Sequence, residues 1–369
     1  MDGFKVPSDL TQVPIVWKYE LLKYLRSWRI IASIAITVLV LGLIFFLPPA
    51  MGQPYSGTDD IHVKPADMYY LGTPTPFLPY SSATIIGRTG AVISDLAVTV
   101  NGTSYPTGSW AVLKVGDISL LPPAIQGFMS SDTSLVLFKD NLTGSVVTLT
   151  YHFRISAETF GYLNLQFANI LIIICATFFG ADSIAGEYYN RTGYLIFPNP
   201  MKREVLFFGK YSASMTAGIF VVGLFYLGVT GLSLVAARGV DSDLLLSFLF
   251  AVEYLLAATA LAYVISSLLK GTTGAIVLTF FLLFLILPIV DGVSMFTGVK
   301  IAASLTFSAG VMIFILQNPY PVDATEDFGG SSFSIFYPDP TVSAIVMFAW
   351  AAIAIAISLI LFKKKQLAG

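Results

Sequence analysis

Apolar residues gather in six blocks long enough to cross a bilayer as helices, at residues 30–47, 162–181, 212–236, 244–269, 273–290 and 342–362. The first would extend roughly 27 Å at the helical rise, and Pro48-Pro49 marks its expected end. Ahead of it, residues 14–28 place Trp17, Leu21, Tyr24, Leu25 and Trp28 on one helical face, with Lys18, Glu20, Lys23 and Arg26 elsewhere. That pattern predicts an interfacial amphipathic helix within a lead-in of residues 1–29. With so long a lead-in and no small-residue cleavage site, the first block reads as an anchor, not a removable signal.

Between the first two blocks the period changes. Short β-branched runs at 91–100, 134–138 and 145–153 alternate with turn signals such as Asn101-Gly102 and Gly116-Asp117. Residues 48–159 therefore predict a β-rich domain, a sandwich or a compact meander, large enough to hold its own core. Residues 301–317 are apolar enough for a seventh crossing, but that would carry Lys363, Lys364 and Lys365 to the opposite side. They read instead, as 293–318 within a loop 291–341, as helices that dip into the membrane without crossing.

Composition agrees with the membrane reading. Hydrophobic residues make up 56% and charged residues 11%, where soluble chains carry about a quarter charged. A net charge of -2 argues for no nucleic-acid partner, so what matters is where the charges sit. In the six-span arrangement thirteen of the twenty Lys and Arg fall on the side of the N-terminus, which predicts a multi-pass protein of the cell membrane with both termini cytoplasmic. The β-domain and loop 291–341 are then extracellular, residues 182–210 are cytoplasmic, and 160–369 is a transmembrane domain of five spans. The single cysteine, Cys175, lies in a span and allows no disulfide within the chain.

The most informative segment is residues 181–210, which joins the second and third spans. Glu187, Arg191, Lys202, Arg203 and Glu204 give it mixed charge, and Pro198 and Pro200 break its helix. On charge alone it is also an ordinary basic cytoplasmic loop. Its order of acid, glycine, leucine, proline, arginine and Gly-Lys falls at Glu187, Gly193, Leu195, Pro200, Arg203, Gly209 and Lys210. This resembles the coupling-helix region of the ABC transporter type 2 permease family. One departure is that Thr192 precedes the glycine and Tyr194 follows it, where that family often has threonine directly after, so the register of the docking helix stays open.

The resemblance implies a permease subunit of an ATP-driven exporter. Glu187, Arg191, Gly193, Pro200, Lys202, Arg203 and Glu204 would couple it to separate ABC ATPase subunits that carry the ATP and Mg. A second permease chain, identical or related, would complete a dimer that moves cargo outward by alternating access. No phosphate-cradling G-x-x-x-x-G-K-[ST] is present, since Tyr211 follows Gly209-Lys210; neither a catalytic residue nor a cofactor is expected here. One rival is a membrane-anchored binding, assembly or signalling protein without an ATPase. Another is a secondary transporter, against which stands the lack of an internal repeat.

Glu253, deep in the fourth span, reads either as functional or as a protonated acid bonded to a neighbouring helix near Asn164, Gln166 and Asn169. Asp182 would cap a helix or orient the coupling segment. Asp59-Asp60-Ile61-His62 holds one of only two histidines, the other being His152, and has no ligand cluster around it, so no metal site is expected. Asn101 and Asn141 head glycosylation sequons on the predicted outer face, and Asn190 heads one on the inner face. Membrane lipid is the remaining expected partner.

Overall fold

The computed structural model describes residues 9–52, 54–71, 73–74, 79–87, 91–113, 133–189, 202–328 and 331–364. They form two units: a helical one, comprising the residues up to Phe45, Gly161–Leu232 and those from Asp241 onward, and a β unit of Phe46–Phe160 with Ser233–Val240.

In the helical unit and its connections, six helices are long and apolar enough to cross a membrane: Trp28–Ala50, Ala157–Tyr189, Arg203–Ala236, Leu244–Leu268, Thr272–Ser294 and Pro340–Lys364. They match the six apolar blocks, and the first three depart from the expected ends; the second starts at Ala157, five residues early, and runs eight residues past 181 to Tyr189. The first runs through Pro48 and Pro49 to Ala50 before turning at Met51; prolines so near a helix end remove few ladder bonds and need not stop it. The third begins at Arg203, nine residues ahead of its apolar block. At 34 residues it is about 51 Å long, against a hydrocarbon core of about 30 Å, so part of it must project.

The second and fifth spans each contain a π-turn, Ala176–Gly180 and Leu282–Ile286. After the second span, the fourth is the most enclosed. Its Tyr254, Leu255, Ala257, Ala258, Ala260, Ala262 and Tyr263 are fully buried, the alanines letting neighbouring helices approach closely. After the fifth span come two short helices, Leu305–Ala309 and Val311–Phe314. Together they are too short to cross, yet Leu305, Val311 and Met312 are fully buried. Trp350 of the sixth span donates to Ala303 O at 2.9 Å, and Ser247 of the fourth bonds Met312 O. A hairpin, Ala324–Phe328 with Ser331–Ile335, follows.

The β unit has strands β1 (Ser56–Val63), β2 (Met68–Tyr70), β3 (Ser82–Gly87), β4 (Ala91–Val100), β5 (Thr103–Ser104), β6 (Trp110–Leu113), β7 (Thr133–Phe138) and β8 (Val147–Ile155). They make two antiparallel four-stranded sheets, in the orders β1-β8-β4-β5 and β2-β3-β7-β6. Alternate residues Val147, Leu149, Tyr151 and Phe153 of β8 pack with Val136 and Phe138 of β7 into a core shared by both sheets, which makes this a sandwich, not a meander. Asn101 and Gly102 turn β4 into β5 with φ of 48° and 80°, the left-handed pair a two-residue hairpin requires. The predicted turn at Gly116-Asp117 lies outside the described residues.

Candidate functional site

The residues singled out around the coupling-type segment begin on three helices. The lead-in helix, Asp9–Leu25, joins the first span through a tight turn in which the Ser27 hydroxyl donates to Tyr24 O at 2.8 Å. A five-residue helix, Ala185–Tyr189, carries Glu187 at the end of the second span. The third helix is the start of the third span, with Arg203, Glu204, Gly209 and Lys210 in its first turns.

These helices meet because the third span presents no side chain at Gly209. A Cβ there would lie 2.6 Å from Val16 Cβ and 3.3 Å from Val13 O, so only glycine lets the lead-in helix settle against this turn. Trp17 Nε1 then donates to Thr216 Oγ1 at 3.0 Å. Next to Gly209, Lys210, 2% exposed, places its Nζ 2.6 Å from Glu20 Oε1 and 2.7 Å from Glu187 Oε1. A buried ammonium is tolerable only with such partners, and here they come from two different helices. Lys23 reaches the other Glu20 oxygen at 3.4 Å from the surface.

Beneath this triad, the π-turn of the second span frees backbone carbonyls. Ser183 N–H turns to Gly180 O at 3.2 Å, which leaves Phe179 O to side-chain donors. Tyr24 donates to it at 2.9 Å, Ser183 at 2.6 Å and Ser214 at 2.7 Å, while Tyr263 lies 2.8 Å from Ser214 Oγ. Burial raises the Tyr24 hydroxyl above the ordinary tyrosine range despite the lowering influence of Lys210, so it stays a donor. Phe178 O takes Arg29 at 3.0 Å, and the same guanidinium holds both oxygens of Asp182 at 2.6 and 2.5 Å. Asp182 thus clasps the start of the first span, where the sequence suggested a helix cap or an orienting role. The helix bearing Glu187 is capped from the fourth span, whose Ser266 Oγ accepts Ile184 N–H and Ala185 N–H at 3.0 and 2.9 Å.

At the far edge, Arg203 donates to Lys363 O at 2.7 Å and Glu204 pairs with Lys363. The base closes the carboxyl end of the sixth span, where cations are favoured. Lys202 is exposed.

The predicted coupling residues therefore divide. Glu187 faces inward to Lys210, Arg203 and Glu204 brace the sixth span, and Lys202 is open to solvent. Arg191, Gly193 and Pro200 lie outside the described residues, as do Leu195 and Asn190. Sequence reasoning missed Glu20 and Arg29, and had Lys210 only as a motif position. The signal was available: Lys210 sits at the edge of an apolar helix, where a charge implies a nearby acid, and Glu20 is the sole acid between residues 12 and 28.

The lead-in helix also turns differently from expectation. Val16 and Tyr24 are buried, whereas Ile15, Tyr19, Leu22 and Leu25 are exposed. Half of the expected membrane-facing stripe is thus consumed against the third span, because Glu20 follows Lys210 inward.

Elsewhere, Glu253 is half-buried and makes no hydrogen bond or ion pair among the described residues; the expected contacts to Asn164, Gln166 or Asn169 are not formed. His62 in β1 bonds Thr148 Oγ1 at 3.0 Å, and the described residues contain no group of three His, Cys, Asp or Glu placed to hold a metal. Asn101 and Asn141 occupy exposed turns of the β unit; Asn101 Oδ1 accepts Val146 N–H, and Asn141 Oδ1 accepts Thr143 N–H.

The family model described as ABC-2 family transporter protein matches residues 14–367, nearly the whole chain. Comparison with curated proteins gives no match.

Proposed function

The chain belongs to the ABC-2 family of transporter proteins, membrane components of ABC transporters, and from that premise we propose that it is the permease subunit of an exporter whose ATP hydrolysis takes place on separate ABC ATPase chains. The observation that carries the coupling part of this reading is Lys210. One ammonium joins the lead-in helix through Glu20 and the Glu187 helix through its carboxylate to the start of the third span. Arg203 and Glu204 join that same start to the end of the sixth span, and Arg29 joins the first span to Asp182. A force applied to the segment between Glu187 and Arg203 then reaches the first, second, third and sixth spans through bonded contacts. Such a transmission needs rigid elements in contact.

In this reading Lys202 and the residues between 190 and 201, Arg191, Gly193 and Pro200 among them, meet the ATPase. Nucleotide with Mg closes two ATPase chains. The paired coupling segments of two permease chains, identical or related, then turn a central path from inward to outward access. The termini are cytoplasmic, the β unit stands outside the plasma membrane, and the cargo leaves the cell. The spans offer few polar side chains, which favours an amphipathic cargo.

Purification of the chain from its native membranes in mild detergent, with mass spectrometry of what accompanies it, tests the reading. An ABC ATPase in roughly equal amount is the expected result. Repeated recovery of the intact chain without one would overturn it in favour of a membrane-anchored binding protein. Charge reversal at Lys202 should then weaken ATPase recovery while the chain stays folded.

A further inference from the structure

We propose that the outward face of the lead-in helix is a binding surface for anionic phospholipid headgroups. Its residues fall into two halves at about 100° per residue. The inner half, centred on Val16, Glu20 and Tyr24, is spent on Gly209, Lys210 and Ser214. The outer half interleaves apolar Ile15, Tyr19 and Leu22, which are 49, 70 and 38% exposed, with Lys18, Lys23 and Arg26, which are also exposed.

The sign of that outer face follows from the inner one. Glu20 is the only acid between residues 12 and 28, and it is drawn inward by the buried Lys210. The three bases therefore remain outside without an acid among them. Lys23 keeps a 3.4 Å contact to the second Glu20 oxygen while staying 64% exposed, so it is partly offset; Lys18 and Arg26 meet no acid among the described residues. Depth is fixed independently, because the first membrane span begins at Trp28, three residues after the helix ends at Leu25. A helix pinned within one turn of a span, showing an apolar stripe flanked by bases, lies where acyl chains meet headgroups. Basic residues at that level attract anionic lipid over zwitterionic lipid. A neutral lipid would satisfy Ile15, Tyr19 and Leu22 but leave Lys18 and Arg26 without counter-charge. The surface does not depend on the ATPase-coupling reading.

The test uses the full chain with Tyr19→Cys carrying a fluorophore; Cys175, 1% exposed, stays unlabelled. The protein is reconstituted in phosphatidylcholine vesicles with a minority of phosphatidylglycerol, and a headgroup quencher is placed on one lipid or the other. Expected is quenching through phosphatidylglycerol several-fold beyond its mole fraction, on the order of fivefold for each base in headgroup contact. Raising salt from about 0.1 to about 1 M shortens the Debye length from about 10 to about 3 Å and should abolish most of the preference. So should the triple variant K18Q, K23Q, R26Q, whose folding is checked by unchanged elution and melting. Equal quenching through both lipids would overturn the proposal, as would a preference that survives in the triple variant. A label that neither lipid reaches, and that added ATPase shields, would assign the face to a protein instead.

Discussion

Replacing Lys210 with methionine removes the one cation between Glu20 and Glu187 while keeping the length of its stem. The two carboxylates, 15 and 9% exposed, would then face each other no farther apart than the two lost ion pairs laid end to end. At about 5 Å and an effective dielectric of about 20, their repulsion alone is about 3 kcal/mol. Removing one partner of a buried pair costs about 3–5 kcal/mol by general experience, so the two routes agree. Lys210→Met should therefore lower the melting temperature of the purified chain in detergent by roughly 5 to 10 °C.

The control decides the cause. Lys210→Met combined with Glu20→Gln and Glu187→Gln keeps the packing volume and leaves no buried charge, and neutral replacement of a whole buried ion cluster is often without cost. The triple variant should melt within a few degrees of the unaltered protein. Equal melting of the single and triple variants would refute the electrostatic argument, and so would a single variant that melts like the parent. The first result would mean that lost packing or hydrogen bonds set the cost, the second that water already screens these groups.

Four further outcomes are expected. Gly209→Ala should cost about 1–3 kcal/mol by overpacking against Val16, and should expose Trp17 to aqueous quenchers as the lead-in helix lifts; unchanged Trp17 accessibility would refute the close packing. Asp323 is pushed up by partial burial but pulled further down by Lys300 and the Tyr337 N–H, ending below the ordinary carboxylate range. Its contribution is therefore complete above an ordinary aspartate pKa of about 4 and is lost as pH falls through its lower folded value. Amide exchange at Tyr337, corrected for intrinsic rate, should accelerate only in that acid window, and modestly, since the pair is solvent-exposed. Glu253→Gln should leave melting within about 1 °C, having no partner to lose among the described residues, so any loss of transport would be functional. Expression in a glycosylating host should add sugar at Asn101 or Asn141 and none at Asn190; sugar at Asn190 would reverse the orientation.

Six apolar helices, most of their ends and a β-rich stretch after the first were legible because each rests on a local pattern: apolar length for the helices, short apolar and β-branched runs for β4 and β7, and period-two alternation for β8. Strand β1 was not, since Ser56–Val63 is mostly polar and is held at a sheet edge by pairing with β8, a contact some 90 residues away in sequence. The π-turn at Ala176–Gly180 left no local mark either. Its carbonyls are satisfied by Tyr24, Ser214 and Arg29, residues of other helices, and only the fold brings these to it. The site was half legible for the same reason. Glu187, Arg203 and Lys210 stood in a motif, but what each one touches is set by helices that meet in space.

Glu20 shows why amphipathic reading alone misplaced the lead-in helix. Hydrophobicity assigned Trp17, Leu21, Tyr24 and Leu25 to one face and Glu20 to the polar rest. The structure instead turns the acid inward to Lys210, leaving it 15% exposed, and exposes Tyr19, Leu22 and Leu25. A buried ion pair contributes little net stability against an apolar substitute, so packing preference alone does not explain the choice. Orientation does: with Glu20 fixed on Lys210, the helix cannot roll about its own axis without separating charges in a poorly solvated place. That restraint holds Gly209 against Val16 and keeps the basic face outward. In the neutral triple variant the contacts of Val16, Trp17 and Tyr24 remain, so the helix would keep its packing but roll within a wider range. A label at Leu21 should then become more accessible than in the unaltered chain, where Tyr19 alone of the two is open; unchanged Leu21 accessibility would refute the role given to the Glu20–Lys210 pair.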